Sequence, residues 1–393
     1  MTPTTQTGLK LSFVLPAVVL VAVNLRAGIA AVSPLLPDIR ADLGLSRGAA
    51  GLLTALPVLC FGGLSALAAG VGRRIGSDLT TVVAMAVLAA ATVLRLLPAA
   101  TWFFIGTVIL GAAITVGNVL TPMLVKQHLW DRSDHVVGMA TGLYTGALIG
   151  GAAVASAISA PLASTGLGWR GALAVWALPA VLAAIAWARF LRFRTAAPTV
   201  ASGGRAVVGS RVTWWLSLFM GMQSLAYFAV LAWLPAFLRE HNVSAGRAGL
   251  ALSLYNLFGV VAALLVPTIA GRQSDQRALA LTICFAWAVG LIGLLVAPDA
   301  YVVWSVIAGL AQGASIALAL ALIVLRSRTP DVARSLSGTV QSAGYLIGAT
   351  GPFLLGALRD ATGSWTVPLL ALLGAIVAMA AGAWGAGRAR LVG

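Results

Sequence analysis

The feature that most constrains this chain is a succession of apolar runs, each separated from the next by a short polar or charged break. A bilayer's hydrocarbon core is ~30 Å thick, and about 20 helical residues cross it. Twelve runs can be drawn, at 11–37, 47–71, 79–97, 102–125, 134–162, 170–190, 212–238, 246–270, 278–296, 301–325, 335–358 and 365–386. No water is available in that layer to satisfy backbone N–H and C=O groups, so each run must close its own hydrogen bonds as an α-helix. The expected fold class is an all-α membrane protein with twelve transmembrane helices. Twelve spans of ~20 residues leave only ~150 for connections and ends, which excludes a sizeable domain outside the membrane. Composition agrees, because 9% of the residues are charged where a soluble domain carries about 25%.

The net charge of +15 would suggest nucleic acid in a soluble protein. In a membrane chain it must be read by position, because cytoplasmic loops collect Lys and Arg. With both termini cytoplasmic, that side gathers seventeen basic residues, among them Lys10, Arg73, Arg74, Lys126, Arg132, Arg194, Arg205, Arg272 and Arg328. The other side has seven: Arg40, Arg47, Arg95, Arg170, Arg239, Arg247 and Arg359. A multi-pass protein of a bacterial inner membrane, with the bilayer rather than nucleic acid as its partner, is expected. The first run is longer than a signal-peptide core and is read as a retained span.

The longest polar break, RFRTAAPTVASGGRAVVGSR at 192–211, bisects the chain and is rich in Gly, Ala, Ser and Thr. It divides residues 1–193 from 212–393, with 194–211 as a flexible cytoplasmic linker. Shifting by 198 positions brings Leu36-Pro37 onto Leu234-Pro235 and Ala50-Gly51-Leu52 onto Ala248-Gly249-Leu250. The same shift brings Gly146, Leu148, Ile149 and Gly150 onto Gly344, Leu346, Ile347 and Gly348. A parallel repeat of six-span units follows, related by an axis along the membrane normal.

The ten carboxylates and three histidines all fall in loops or at span ends. The hydrocarbon layer is therefore expected to hold no acid, no metal cluster and no acid–histidine pair of the kind that activates water, which argues against an enzyme. Cys60 and Cys284 stand alone in apolar runs, and no cofactor is implied. Arg26 is the exception to an uncharged interior. It lies ~22 Å into the first run, near the middle of the membrane, where an Arg costs at least ~2.5–3.5 kcal/mol unless it finds water, a partner or a ligand. Two readings remain open for it: a contact to an anionic or polar substrate, and a structural hub bonded to backbone carbonyls and amides.

The candidate wall of a midplane site comprises Asn24, Arg26, Asn118, Gln223, Tyr227, Asn256, Gln312, Gln341 and Tyr345. Gln223 and Tyr227 share a helix face at i, i+4, as do Gln341 and Tyr345 on the corresponding span of the other repeat. The competing reading is that such amides cross-link helices. Tyr227 and Phe228 lie deep enough for one of them to stack on a flat substrate. Gly142, Gly146 and Gly150 form a small-residue stripe, expected to allow close helix packing.

The stretches NLRAGIAAVSPLLPDIRADLGLS (24–46), AGLLTALPVLCFG (50–62), GNVLTPMLVK (117–126), TGLYTGAL (141–148), GWRGALAVWALP (168–179) and GYLIGATGPFLLGALRDATGSW (344–365) carry a family resemblance. The chain resembles the major facilitator superfamily, and within it the cyanate porter and 2-nitroimidazole transporter family. That resemblance implies two pseudo-symmetric six-helix bundles and secondary or facilitative transport by alternating access, with no enzyme chemistry. The substrate class implied is a cyanate-like anion or a small nitroaromatic heterocycle, and a monomer is expected. One departure stands out: AGVGRRIGSD (69–78) has Arg73 where the superfamily's loop between spans two and three carries an acid. A proton-coupled multidrug exporter of the same fold and a non-transporting receptor are the alternatives.

With no carboxylate in the hydrocarbon layer, no side-chain acid should be obligatory for proton relay through the centre. Neutralising each of the ten acids in turn should leave at least partial substrate-gradient-driven flux in proteoliposomes. A variant that loses pH-driven uptake yet keeps substrate exchange would mark a coupling acid and contradict this expectation.

Overall fold

A computed structural model describes residues 11–128, 134–192 and 207–392. Lys10, Arg132 and residues 194–206 of the expected linker lie outside that range, as do the side chains of Arg73, Lys126 and residues 134–139. The described residues form fifteen α-helices with short connecting turns. In the first half of the chain these are α1 (Leu11–Ala30), α2 (Val32–Leu43), α3 (Arg47–Ile75), α4 (Ser77–Leu94), α5 (Ala100–His128), α6 (Asp134–Leu162), α7 (Gly168–Ala174) and α8 (Ala177–Ala188). The second half supplies α9 (Arg211–Glu240), α10 (Ala245–Gly271), α11 (Arg277–Val296), α12 (Tyr301–Leu325), α13 (Pro330–Gly348), α14 (Thr350–Thr362) and α15 (Thr366–Ala386).

Fifteen helices make twelve crossings because three spans are broken, and proline accounts for each break. Proline lacks the N–H that would bond the carbonyl four residues earlier, and its ring crowds that carbonyl. Pro34, Pro179 and Pro352 release the carbonyls of Ala30, Val175 and Gly348. The breaks between α1 and α2, α7 and α8, and α13 and α14 fall at those positions. Ten apolar windows are long enough to cross a membrane. One of them, Leu143–Leu191, runs through two crossings joined by a turn in which Gly166 and Gly168 have φ of +94° and +61°, a conformation that favours glycine. The eleventh crossing is missing from those windows because its first half, α13, begins in polar sequence (PDVARSLSGTVQS) and is interrupted at Ala349.

Within the first half α1 packs on α6, α5 and α8, and α4 on α5 and α8; in the second, α9 packs on α13 and α15, and α10 on α12. Glycine sets the closest of these approaches. A Cβ on Gly313 would overlap the Gly259 carbonyl, so α10 and α12 touch backbone to backbone. The expected stripe on α6 divides differently. Gly146 and Gly150 face open space, while the neighbouring Gly151 packs against the backbone of Val23. The packing expectation therefore fails for these two stripe glycines, because the buried face of α6 is rotated by one residue. Gly344 and Gly348 do pack, against Met220 and Ser224.

The two halves meet through α6 with α10, α3 with α13 and α14, and α2 with α9. Among the described residues, the hydrogen bonds and ion pairs that join the halves lie at one end of the molecule. Arg47 at the start of α3 reaches Glu240 at 3.0 Å and Asp360 at 3.4 Å. Arg359 holds the other Glu240 oxygen at 2.7 Å, and the Gly48 N–H donates to Asp360 at 3.0 Å. Arg239 spans both oxygens of Asp38, at 3.0 and 3.2 Å. These groups form a clasp across the halves.

Partly exposed pairs contribute about 0.2–1 kcal/mol each. Glu240→Gln, which weakens two of them, should shift the clasp toward opening by about 1 kcal/mol, or about fivefold in population. A cysteine replacing the buried Leu36, with Cys60 and Cys284 changed to serine, should then react about fivefold faster with an impermeant maleimide added on the clasp face. An unchanged rate would show that these ion pairs do not hold that end shut.

Candidate functional site

Arg26 stands midway along the span made by α1 and α2, on the surface that faces the second half. Its guanidinium carbon lies 5.8 Å from the ring centre of Phe61 on α3, 5.6 Å from Tyr227 and 5.5 Å from Phe228 on α9. Aromatic faces attract a cation through their quadrupoles, most strongly where water is excluded. The rings give no hydrogen bonds, however. Arg26 Nε and Nη1 are buried and have no hydrogen-bond partner. The structural-hub reading required carbonyl and amide acceptors for these groups, and among the described residues none bonds them.

The collar of rings is itself braced. Tyr227 and Phe228 meet edge-on at 4.8 Å, and Phe61 meets Tyr345 of α13 edge-on at 5.8 Å. Tyr227 stacks on Tyr255 of α10 at 6.2 Å, and its hydroxyl donates to Asn256 Oδ1 at 3.5 Å. Asn256 in turn donates to the Leu252 carbonyl at 2.9 Å. Tyr144 of α6 and Tyr227 are both within electrostatic reach of Arg26, and Tyr345 is within reach of both tyrosines. The group thus draws on α1, α3 and α6 of one half and α9, α10 and α13 of the other.

Of the nine residues expected from sequence, Arg26, Tyr227, Asn256 and Tyr345 join this group. Asn24 does not: it is buried and donates to the Leu20 carbonyl of its own helix at 2.7 Å. Gln223 is taken up by Ser224 at 2.7 Å, and Gln341 by Ser337 at 2.7 Å. In each i, i+4 pair the tyrosine reaches the centre, while the shorter reach of the amide is spent on a local hydroxyl. Asn118 is half-buried on α5 and makes no side-chain hydrogen bond among the described residues. Gln312 lies against Gly259 with its Oε1 buried and unpartnered.

Phe61, Tyr144 and Tyr255 are the members that sequence reasoning missed. Phe61 follows Cys60 in an unbroken apolar run, and only the fold reveals which of its neighbours faces Arg26. Tyr144 had a signal, as a lone phenol within TGLYTGAL, the α6 segment that carries Gly146.

A second polar cluster pairs an acid with a histidine at the helix ends, where the sequence places both, and buries them there. Asp78 is at the start of α4, as its sequence position suggests, but it is buried. Its Oδ1 accepts from Trp187 Nε1 at 3.0 Å and lies 2.7 Å from His128 Nε2. The end of α5 lies beside the start of α4, and Trp187 of α8 joins the pair. The pair lies between helices of the first half, where its groups satisfy one another.

Removing an acceptor from a buried donor costs about 1–3 kcal/mol. Asp78→Ala orphans two donors and should destabilise by at least that amount, whereas Asp78→Ala combined with Trp187→Phe should recover part of the loss. Thermal unfolding in detergent measures both. A single variant as stable as the parent would show that these bonds do not hold the cluster together.

Comparison with known proteins fits this geometry. Residues 18–352 match the model of the Major Facilitator Superfamily. The chain is 37% identical to the 2-nitroimidazole transporter of Escherichia coli (strain K12) over 373 residues, covering 93% of this chain and 94% of that one. It is 30% identical to the cyanate transport protein CynX of the same organism, covering 91% and 94%. Among solved structures, a point mutant of the nucleoside transporter NupG superposes with a TM-score of 0.78 at 12% identity, covering 93% of this chain and 98% of that one, a likeness of fold.

Proposed function

We propose that this chain, which belongs to the Major Facilitator Superfamily, carries a small anionic or polar organic molecule across the bacterial inner membrane by alternating access, with Arg26 as its anchor. Membership makes it a multi-pass membrane transporter with two six-helix bundles. The finer reading rests on one observation, the buried and unpartnered N–H groups of Arg26 between the halves. A charge in hydrocarbon needs a counter-charge or water, and no carboxylate of the described residues bonds it. An acceptor-rich substrate would supply what the protein withholds. The transported molecules named for the relatives, cyanate and 2-nitroimidazole, are of that kind.

The same cation disfavours the alternative of a cationic-drug exporter, which would need an acid where Arg26 stands. On this reading the halves are residues 1–193 and 212–393, joined by a cytoplasmic linker at 194–211, and the chain works as a monomer in the bilayer. Both termini are cytoplasmic by the distribution of Lys and Arg. The clasp then closes the outer face, and substrate reaches Arg26 from the cytoplasm in this state. No catalytic step or cofactor is required.

Arg presents a planar fork of fixed donors, whereas Lys presents a compact charge on a flexible stem. Arg26→Ala should abolish binding of cyanate or 2-nitroimidazole in folded protein, and Arg26→Lys should restore only part of it. Truncating one side of a buried charged pair costs ~2–5 kcal/mol, or roughly 30- to several-thousand-fold in affinity. Melting temperature and affinity on the same purified variants, followed by vesicle flux, test this. Unchanged affinity in folded Arg26→Ala would remove Arg26 from the site.

A further inference from the structure

The group around Arg26 is unusual in what it offers and what it lacks. Arg26, Tyr144 and Tyr345 are each half-buried, with Arg26 Nε and Nη1 themselves enclosed. Neither tyrosine hydroxyl has a hydrogen-bond partner among the described residues, in contrast to Tyr227, which is engaged by Asn256. The site therefore combines a guanidinium and two phenolic O–H groups, with Tyr144 within electrostatic reach of the other two. Around them stand aromatic rings, with Phe61 and Tyr345 edge-to-face at 5.8 Å. Among the described residues, no carboxylate bonds any of these groups.

Resting on the reading of Arg26 as substrate anchor, we propose that the ligand is an aryl monocarboxylate. Its carboxylate is held by Arg26 with the hydroxyls of Tyr144 and Tyr345, and its ring lies against the Tyr345 ring. A carboxylate offers about four lone-pair sites on two oxygens, enough to accept from a guanidinium and two hydroxyls together. A three-atom anion such as cyanate satisfies the charge but leaves the ring surface without a partner. An aliphatic acid satisfies the charge and fills volume, yet it forfeits the edge-to-face attraction between aromatic rings, a loss of about two- to tenfold per pair. Tyr144 comes from the first half and Tyr345 from the second, so a ligand bridging their hydroxyls contacts both.

Binding of labelled benzoate and cyclohexanecarboxylate to full-length detergent-purified protein tests the assignment, with folding of each variant checked by its melting curve. The parent should bind benzoate at least about fivefold more tightly. Tyr345→Leu should erase that preference, and Tyr345→Phe should keep it while weakening both acids. Tyr144→Phe should weaken both acids about equally and leave the preference intact, and Arg26→Gln should lose both. Equal affinity for the two acids, absence of benzoate binding, or a preference that survives in folded Tyr345→Leu would overturn the proposal. Should Tyr345→Leu fail to fold, Tyr345→Phe decides: unaltered affinity for both acids would overturn the hydroxyl contact. Binding of cyanate or 2-nitroimidazole that depends on Arg26, without benzoate binding, would overturn the aryl assignment alone. Benzoate binding that is unaffected in Arg26→Gln would overturn the Arg26 reading as well.

Discussion

A backbone carbonyl released inside hydrocarbon must find another donor, and much of this architecture follows from that requirement. Proline breaks three of the twelve spans, and close to two of the breaks a distant side chain bonds a backbone carbonyl. At the break in the first span, Arg95 reaches the Gly28 carbonyl at 3.0 Å. At the break in the eleventh, Trp233 donates to the Pro352 carbonyl at 2.7 Å. Each of these bonds ties the broken span to a neighbour of its own half. The bends are thus held in place by specific bonds, and the residues beyond them, including Asp38, Arg40 and Asp360, are aimed at the opposite half.

Arg26 and Arg95 show how one residue type serves two ends in the same bundle. Arg95 is buried and set over the Phe103 ring at 4.7 Å; its Nη1 is bonded to a carbonyl while its Nε has no partner, so the protein supplies it one acceptor. Arg26 has the rings and lacks the acceptor. Its position between halves, rather than within one, explains the difference: an acceptor supplied by the protein there would fix the halves together or fill the path between them. A cation left incomplete at that interface is compatible with movement and with a ligand.

The twelve crossings were legible because a period-independent signal, the length of apolar runs, decides them. The burial of Arg95 and Asp78 was not. Both sit at span ends, where linear reading places charge in water, and both are drawn inward by partners that are remote in sequence, Gly28 in one case and Trp187 in the other. Arg26 was legible because it interrupts an apolar run on its own. Its collar was only half legible: Tyr227 and Tyr345 stand out as polar aromatics, but Phe61 looks like any core phenylalanine. The amides misled for a physical reason. Asn24, Gln223 and Gln341 each have a backbone carbonyl or hydroxyl within about one helical turn, and a local bond costs less side-chain entropy than one reaching across an open interface.

The helices that close the clasp are the ones that carry the collar. Arg47 begins α3 and Phe61 lies 14 positions further on, ~21 Å along the axis; Glu240 ends α9, with Tyr227 and Phe228 ~20 Å before it. Both stretches are continuous helix, although Pro57 and Pro235 each remove one backbone bond within them and leave a point where they can bend. Clasp and collar thus share two helices, and the ring centres of Phe61 and Phe228 lie 6.5 Å apart beside the Arg26 guanidinium. To the extent that these helices move whole, the field felt by a ligand on Arg26 changes with the closure of the clasp. A ligand that prefers the closed collar must strengthen the clasp by the same free energy that the clasp lends to its binding. On the proposed reading of alternating access, α3 and α9 join site and gate directly, since each carries residues of both.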